Sequence, residues 1–233
     1  MIAGRIPVRT HIVTEKDDIV EVVRKYTGEI ASPGDVIAVA ESVVAISQGR
    51  AIHPDSVRTG RLARFLCRFP GKEGSLAAAP SLQVAINQVG YLRFFLGLAA
   101  AAAGRLLGRR GDFFRVAGRE LALIDDFAGT MWPYDRHIVL GPKNPQEVVE
   151  RIKEATGVDA VVTDVNDIGN VDILAATDGV DRQMLIAYLK DNPHGNDDQQ
   201  TPVVVFVSKK NIVLFQEKDE DVNAPGPEQD PSF

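Results

Sequence analysis

The stretch VDAVVTDVNDIG, residues 158–169, is the one around which the chain is read. Val158, Ala160, Val161 and Val162 make a short apolar run rich in β-branched residues, the pattern of a buried strand. Thr163 and Asp164 stand at its C-terminal end, followed by Asn166, Asp167 and Gly169. Open α/β sheets bind ligands beyond the carboxyl ends of their strands. A half-desolvated carboxylate placed there suits a hard cation and its phosphate. The competing reading is that Asp164 and Asp167 cap a turn or the next helix. Spacing alone favours the capping role.

Upstream of this strand, Asn144, Pro145 and Glu147 spell a helix start, with Asn144 as cap and Glu147 completing a capping box. Val148, Val149, Ile152 and Ala155 give that helix a buried face, and Gly157 ends it. Downstream, residues 171–175 read as a strand and 180–189 as a helix. The segment DNPHGNDDQQ, 191–200, is a polar loop, and 202–207 is a last buried strand. Residues 211–215 read as a short edge strand or helix. The acidic, proline-rich tail 217–233 is expected to be disordered.

In the N-terminal half, residues 2–8 form a first strand with Pro7 near its end. A helix is expected from Thr14, with Asp17 as a variant of the capping box and Ile19, Val22, Val23 and Tyr26 on its apolar face. Residues 36–40 are a second buried strand. Glu41 and Ser42 interrupt the apolar run, which resumes at 43–46. Such a break marks either a bend where a ligand nears the backbone or a surface bulge. A helix is expected over 57–69, with Leu62, Phe65, Leu66 and Phe69 on one side and Arg58, Arg61, Arg64 and Arg68 solvated on the other. Residues 82–107 are mostly helical, broken near Gly90. Residues 113–117 and 120–124 read as two strands joined at Gly118, the second ending in Asp125 and Asp126.

The apolar run 94–104 is bounded by Arg93 and Arg105. It is about half the ~20 residues a membrane span needs. It reads instead as a helix buried in the core or in a subunit contact, where alanines and glycines let another backbone approach closely.

The chain has 233 residues with 45% hydrophobic and 25% charged content, an ordinary globular composition. A net charge of -6 argues against nucleic-acid binding, which needs a basic surface. The single cysteine, Cys67, excludes a disulfide framework or a thiolate cluster. The N-terminus lacks the apolar core of a signal peptide, so a cytoplasmic location is expected. There is no GxxxxGK[ST] loop, GxSxG elbow or HExxH helix. The four histidines, His11, His53, His137 and His194, sit apart in polar sequence and read as surface or hydrogen-bonding residues. Three polar turns leave buried strands: Asp125-Asp126, 164–169 and 195–200. Brought together they would line a pocket with carboxylates and amides, the ligands that magnesium or manganese prefers.

The blocks IPVRTHIVTEKDDIVEVV, GDVIAVAESVVAISQGR, GVDAVVTDVNDIG and DNPHGNDDQQTPVVV, in this order, resemble the coenzyme F-420:L-glutamate ligase family, in its divergent bacterial branch. The resemblance runs from about residue 6 to 207. It implies an α+β fold with mixed sheets and two lobes, in an intertwined homodimer. The implied organisation is one ligase-like domain over 1–216, divisible into lobes at about 1–112 and 113–216. The implied reaction joins the amino group of L-glutamate to a carboxylate acceptor, activated as an acyl phosphate by GTP or another nucleoside triphosphate with Mg2+ or Mn2+. Its partners are therefore small molecules, with neither nucleic acid nor membrane.

Position by position, the resemblance puts Asp125 on a metal-binding aspartate, with Asp126 one register away as the alternative. Asp164 falls on the aspartate of the family's TDTN motif, and Asn166 on its asparagine. Asn196 stands where the family has a glutamine near the metal. Ser42 matches a nucleotide-contacting hydroxyl, and Pro7, Arg9 and Thr10 belong to the loop that approaches the nucleotide. Two departures stand out. Ile46 replaces a nucleotide-binding lysine, removing a phosphate counter-charge, and Val165 replaces a threonine. They motivate a second reading, a homologue that kept the fold, lost catalysis and acts as a metal-binding, small-ligand or regulatory protein. A metal-dependent phosphate-ester hydrolase using the same carboxylates is a third.

Overall fold

The computed structural model describes residues 2–69, 76–126, 132–165, 169–195 and 199–211, without the side chains of residues 125 and 126. The fold is mixed α/β. Its main sheet has five strands: β1 (Ile2–Val8), β2 (Val36–Ala40), β6 (Asp159–Val165), β7 (Val171–Ala176) and β8 (Val203–Ser208). Their order is β1-β8-β2-β6-β7. β2 and β6 are parallel, and every other pairing is antiparallel. A second, three-stranded sheet is ordered β3 (Ala51–Ile52), β5 (Ile138–Val139), β4 (Asp125–Asp126).

Both faces of the three central strands, β8, β2 and β6, are covered, which is why they read as nearly continuous apolar runs, whereas the edge strands β1 and β7 expose Arg5 and Asp172. Ile37, Val39, Ala160, Val162, Val203 and Val205 face one way, against Val22 and Val23 of α1 (Ile19–Thr27) and Val149 and Ile152 of α6 (Pro145–Thr156). The alternate residues Ala38, Val161, Val204 and Phe206 face Leu185 and Leu189 of α7 (Arg182–Leu189). A separate core lies between β3 and β5 in the chain. It joins Ala63 of α3 (Arg61–Leu66), Ile86 and Phe94 of α4 (Ala79–Leu106), Ala117 of α5 (Asp112–Ala117), and Ile138.

Several elements differ from the sequence expectation, each for a local reason. The first helix starts at Asp18, whose side chain accepts from the Val20 amide, and not at Thr14. Asp17 instead folds back to accept from the amide and hydroxyl of Thr14, closing a turn before the helix. The polar break at Glu41 and Ser42 is neither bend nor bulge. It is the first turn of α2 (Glu41–Ser47), whose Val43, Val44, Ala45 and Ile46 are all buried. The arginine-rich helix is only α3, and Phe65 and Phe69, 56% and 70% exposed, meet each other edge to face at 5.4 Å instead of entering the core.

The two strands expected around Gly118 are helical: α5 and a 3-10 turn over Arg119–Leu123. Glycines on α4 create the room. A Cβ on Gly97 would stand 2.6 Å from that of Ala117, and one on Gly104 would strike the Asp112 carboxylate. Asn144 does precede α6, but with φ 47° and no side-chain cap bond to the backbone; its amide donates to the Glu147 carboxylate. The expected disordered tail lies outside the described residues.

Candidate functional site

Where the strands end decides what can meet. Val8 is opposite Val203, Val39 is opposite both Val203 and Val162, and Ala40 pairs with Thr163. The C-terminal ends of β1, β2 and β6 therefore lie along one edge of the sheet, with the start of β8 among them. Thr10 is buried just past β1, and its amide donates to the Gln200 carbonyl at 3.0 Å. The Ala40 amide donates to the Pro202 carbonyl at 2.8 Å. Ser42 follows in the first turn of α2, half-buried. Pro7 and Arg9 lie on this edge and are exposed.

Asp164 is the last polar residue of β6, and the ladder sets it directly across from Asp172 of β7. Both side chains reach solvent. Burial against the surrounding protein, and then the charge of Asp172, hold the Asp164 carboxyl above the ordinary carboxylate range. Like charges opposite each other in a ladder are unfavourable, so the pair carries a standing demand for positive charge. Two hard oxygen donors at the open edge fit Mg2+ or Mn2+, which bind through one or two carboxylates plus water and phosphate oxygens. Asn166 and Asn196 lie outside the described residues. Among the described residues no group of three or more His, Cys, Asp or Glu could hold a metal.

Beneath this edge the Oγ1 of Thr163 is 3.2 Å from the Nε2 of His194, and Thr201 Oγ1 donates to the His194 carbonyl at 2.6 Å. His194 is buried, which pushes its pKa down to about 4, against a smaller upward pull from the Thr201 and Pro202 carbonyls. It is thus a neutral structural histidine, the hydrogen-bonding kind of the two the sequence allowed and not the surface kind. Its Nδ1 is buried without a partner among the described residues.

Asp125 belongs to the other sheet, paired with Val139. Helix α2 touches both β6 and β5. Glu41, at its first position, places Oε1 3.3 Å from where a Cβ on Gly141 would sit, two residues beyond Val139. The first turn of α2 is accordingly the link between the strand that carries Asp164 and the sheet that carries Asp125. The sequence marked Glu41 only as part of a polar break in an apolar run, not as a site residue.

The SQGR segment after α2 is held to the same region. Gln48 clasps residue 143 at both backbone groups, donating to the Lys143 carbonyl at 2.9 Å and accepting from its amide at 2.7 Å. Arg50 Nε donates to the Gly141 carbonyl at 2.5 Å. Burial lowers the Arg50 pKa, and the guanidinium has no ion pair among the described residues. Nearby, His53 and His137 meet edge to face at 5.2 Å, and His137 packs on Tyr134 at the same distance. The Tyr134 hydroxyl donates to Glu15. Two histidines that looked isolated are thus joined by the pairing of β3 with β5.

The departures are visible too. Ile46 is buried at 6% exposure, and Val165 packs with the α7-side core, so neither presents a polar group at the edge. No curated protein matches the chain. The family model described as F420-0:Gamma-glutamyl ligase matches residues 7–85, a stretch that carries Pro7, Arg9, Thr10, Ser42, Ile46 and Arg50 but ends before Asp125 and Asp164. By that match the N-terminal third of the chain is similar to the F420-0:Gamma-glutamyl ligase family.

Proposed function

We propose that the protein is a γ-glutamyl ligase-like enzyme that joins an amino acid such as L-glutamate to a carboxylate acceptor, using GTP or another nucleoside triphosphate and a divalent cation. Activity of the γ-glutamyl ligase type in coenzyme F420 biosynthesis is what the family implies. The observation that carries the reading is the Asp164–Asp172 pair on the edge that Thr10 and Ser42 also reach. In the balanced reaction the terminal phosphoryl group passes to an acceptor carboxylate oxygen, leaving the nucleoside diphosphate. The amine then attacks the acyl carbon, a C–N bond forms, phosphate departs and the amine loses a proton.

Asp164 and Asp172 would hold the cation, with Asp125, Asn166 and Asn196 as further candidates. Bound there, Mg2+ or Mn2+ supplies charge neutralisation for the phosphates. Thr10 and Ser42 supply hydroxyls for the nucleotide, and Arg9 the nearby positive charge. The protein is expected to act in the cytoplasm.

The test is phosphate release from GTP and ATP with Mn2+, glutamate and a panel of carboxylate acceptors. Amide product that disappears in Asp164→Asn supports the reading; no turnover across the panel overturns it. The buried Ile46 and the core-packed Val165 favour one other reading, a non-catalytic ligand-binding homologue. That reading predicts a thermal shift with metal or nucleotide and no phosphate release.

A further inference from the structure

Past Gly90, whose φ of 79° and ψ of 155° interrupt the helix, α4 is apolar on two opposite sides. One side is occupied: Phe94 packs on Phe113 of α5, and Gly97 on Ala117. The other side is open. Residues 92, 95, 96, 99, 103 and 106 recur at helical spacing and form a single stripe. Leu92 is 77% exposed, Phe95 46%, Leu96 54% and Leu106 89%. Only 28% of the apolar eighteen-residue window of α4 is buried, so this is not the core helix of a globular domain. Of the eleven large hydrophobics exposed among the described residues, seven lie between positions 91 and 116. Such a concentration marks a surface that meets something apolar.

Charge identifies the occupant. The chain has 32 acidic residues, yet none stands between Glu73 and Asp112. Within that interval lie Arg93, Arg105, Arg109 and Arg110, all exposed. Arg93 and Arg105 stand six residues before and after Ala99, at the middle of the stripe. Each is therefore roughly 120° around the helix from Ala99, one on either flank. Their stems can lie along the stripe while the guanidinium groups reach the polar boundary beside it. At the C-terminal tip, Leu106 and the 72% exposed Leu107 precede Arg109 and Arg110 across the left-handed turn at Gly108. Arg93 and Arg109 approach carboxylates only to 3.4 Å, and Arg105 and Arg110 have no ion pair among the described residues.

An apolar stripe edged by arginines with little neutralisation matches a helix lying in the plane of an anionic bilayer surface. A second copy laid on this face brings arginine near arginine, with no carboxylate of α4 to answer them. Spanning the bilayer fits no better. The uninterrupted apolar run between Arg93 and Arg105 is about 16 Å long at 1.5 Å per residue, against a hydrocarbon core of ~30 Å. The opposite side of the helix is also held by α5, with the Asp112 carboxylate beside Gly104.

We propose that the open face of α4 and the arginines beside it form a docking surface for an anionic phospholipid bilayer. The helix lies in the surface plane, with its leucines and Phe95 entering to a depth of ~5–10 Å. The family resemblance implies no membrane partner, so this contact goes beyond the ligase reading and does not depend on it.

Co-sedimentation of the full chain with vesicles tests it, using phosphatidylcholine alone and phosphatidylcholine mixed with phosphatidylglycerol. Binding to the mixed vesicles is expected, roughly tenfold or more weaker on the neutral ones and weakened by salt. Leu96→Glu and Leu106→Glu should each reduce it by roughly tenfold or more. Arg105→Gln and Arg110→Gln should each reduce it roughly fivefold, on the anionic vesicles alone. All four positions are exposed, and circular dichroism reads whether each variant is folded. In a Cys67→Ser background, an environment-sensitive fluorophore on Leu96→Cys should shift to the blue with anionic vesicles. The same probe on Glu154→Cys, exposed on α6, should not. Protein that leaves anionic vesicles unbound overturns the proposal. So does binding that Leu96→Glu and Leu106→Glu leave intact, which would mean a diffuse basic patch. So does a Leu96→Cys probe already shielded without lipid, the result expected if a second copy covers the face.

Discussion

Asp164 and Asp172 stand directly across the β6–β7 ladder from each other, two carboxylates in register at the open edge of the sheet. Asp164 holds its proton more tightly than an ordinary aspartate, first through burial and then through Asp172. Its folded pKa is raised above the unfolded value. It therefore contributes stability below the unfolded pKa of about 3.8, which is lost as pH rises through the folded value.

In chelator at neutral pH the ionised pair is a net cost. Asp172→Asn should stabilise the metal-free protein by about 0.5 kcal/mol, within the range for cross-strand like charges at solvent-facing positions. Chemical denaturation with and without chelator measures it. Destabilisation by Asp172→Asn in chelator would mean the pair is not repulsive.

His194 gives a pH dependence of opposite sense. Its folded pKa of about 4 lies below the ordinary 6.5. Between those values the unfolded chain binds a proton that the folded one refuses, so stability falls as pH drops from 6.5 toward 4. The full effect is about 3 kcal/mol at 1.36 kcal/mol per pKa unit. In His194→Gln the unfolding free energy should lose this slope, whatever its absolute value. A slope unchanged in the variant would refute the assignment.

The clasp between Gln48 and Lys143 joins the segment after α2 to the start of α6 through two backbone bonds. Gln48→Ala should cost about 1–2 kcal/mol, the sum expected for two ordinary hydrogen bonds at a partly solvated site. Hydrogen exchange at the Lys143 amide should rise in parallel. An unchanged exchange rate would show that water replaces the clasp without loss.

Gly97 is a packing residue. A Cβ there would lie 2.6 Å from Ala117 Cβ and 3.2 Å from the Phe113 ring. Gly97→Ala should therefore push α5 off α4 and destabilise by about 1–3 kcal/mol despite the better helix propensity of alanine. Thermal unfolding reads the sign directly, and a stabilised variant would contradict the close approach.

The three central strands of the main sheet were legible because β-branched runs such as VVVFV and AVV pack on both faces, and the edge strands β1 and β7 because short apolar stretches are bounded by polar turns. Residues 43–46 were not. A buried apolar tetrad looks the same in a strand and in a buried helix, and only the turn at Glu41 tells them apart. The segment 113–117 was missed similarly: Phe113 and Ala117 are four apart and both seat on Gly97 of α4, a contact visible only in three dimensions.

Of the site, the sequence showed Asp164 at a strand end and the polar loop before β8. It did not show Asp172, yet the signal was there. A hairpin from 165 to 171 places residues equidistant from its centre in register, and 164 and 172 are such a pair. His53 and His137, 84 positions apart, carry no local signal of their meeting.

The most direct measurement is a calorimetric titration of Mn2+ into the full chain with GTP present, comparing wild type with Asp164→Asn and Asp172→Asn. The account predicts one cation site in the wild type, weakened at least tenfold in each variant. Equal binding in all three proteins would contradict it.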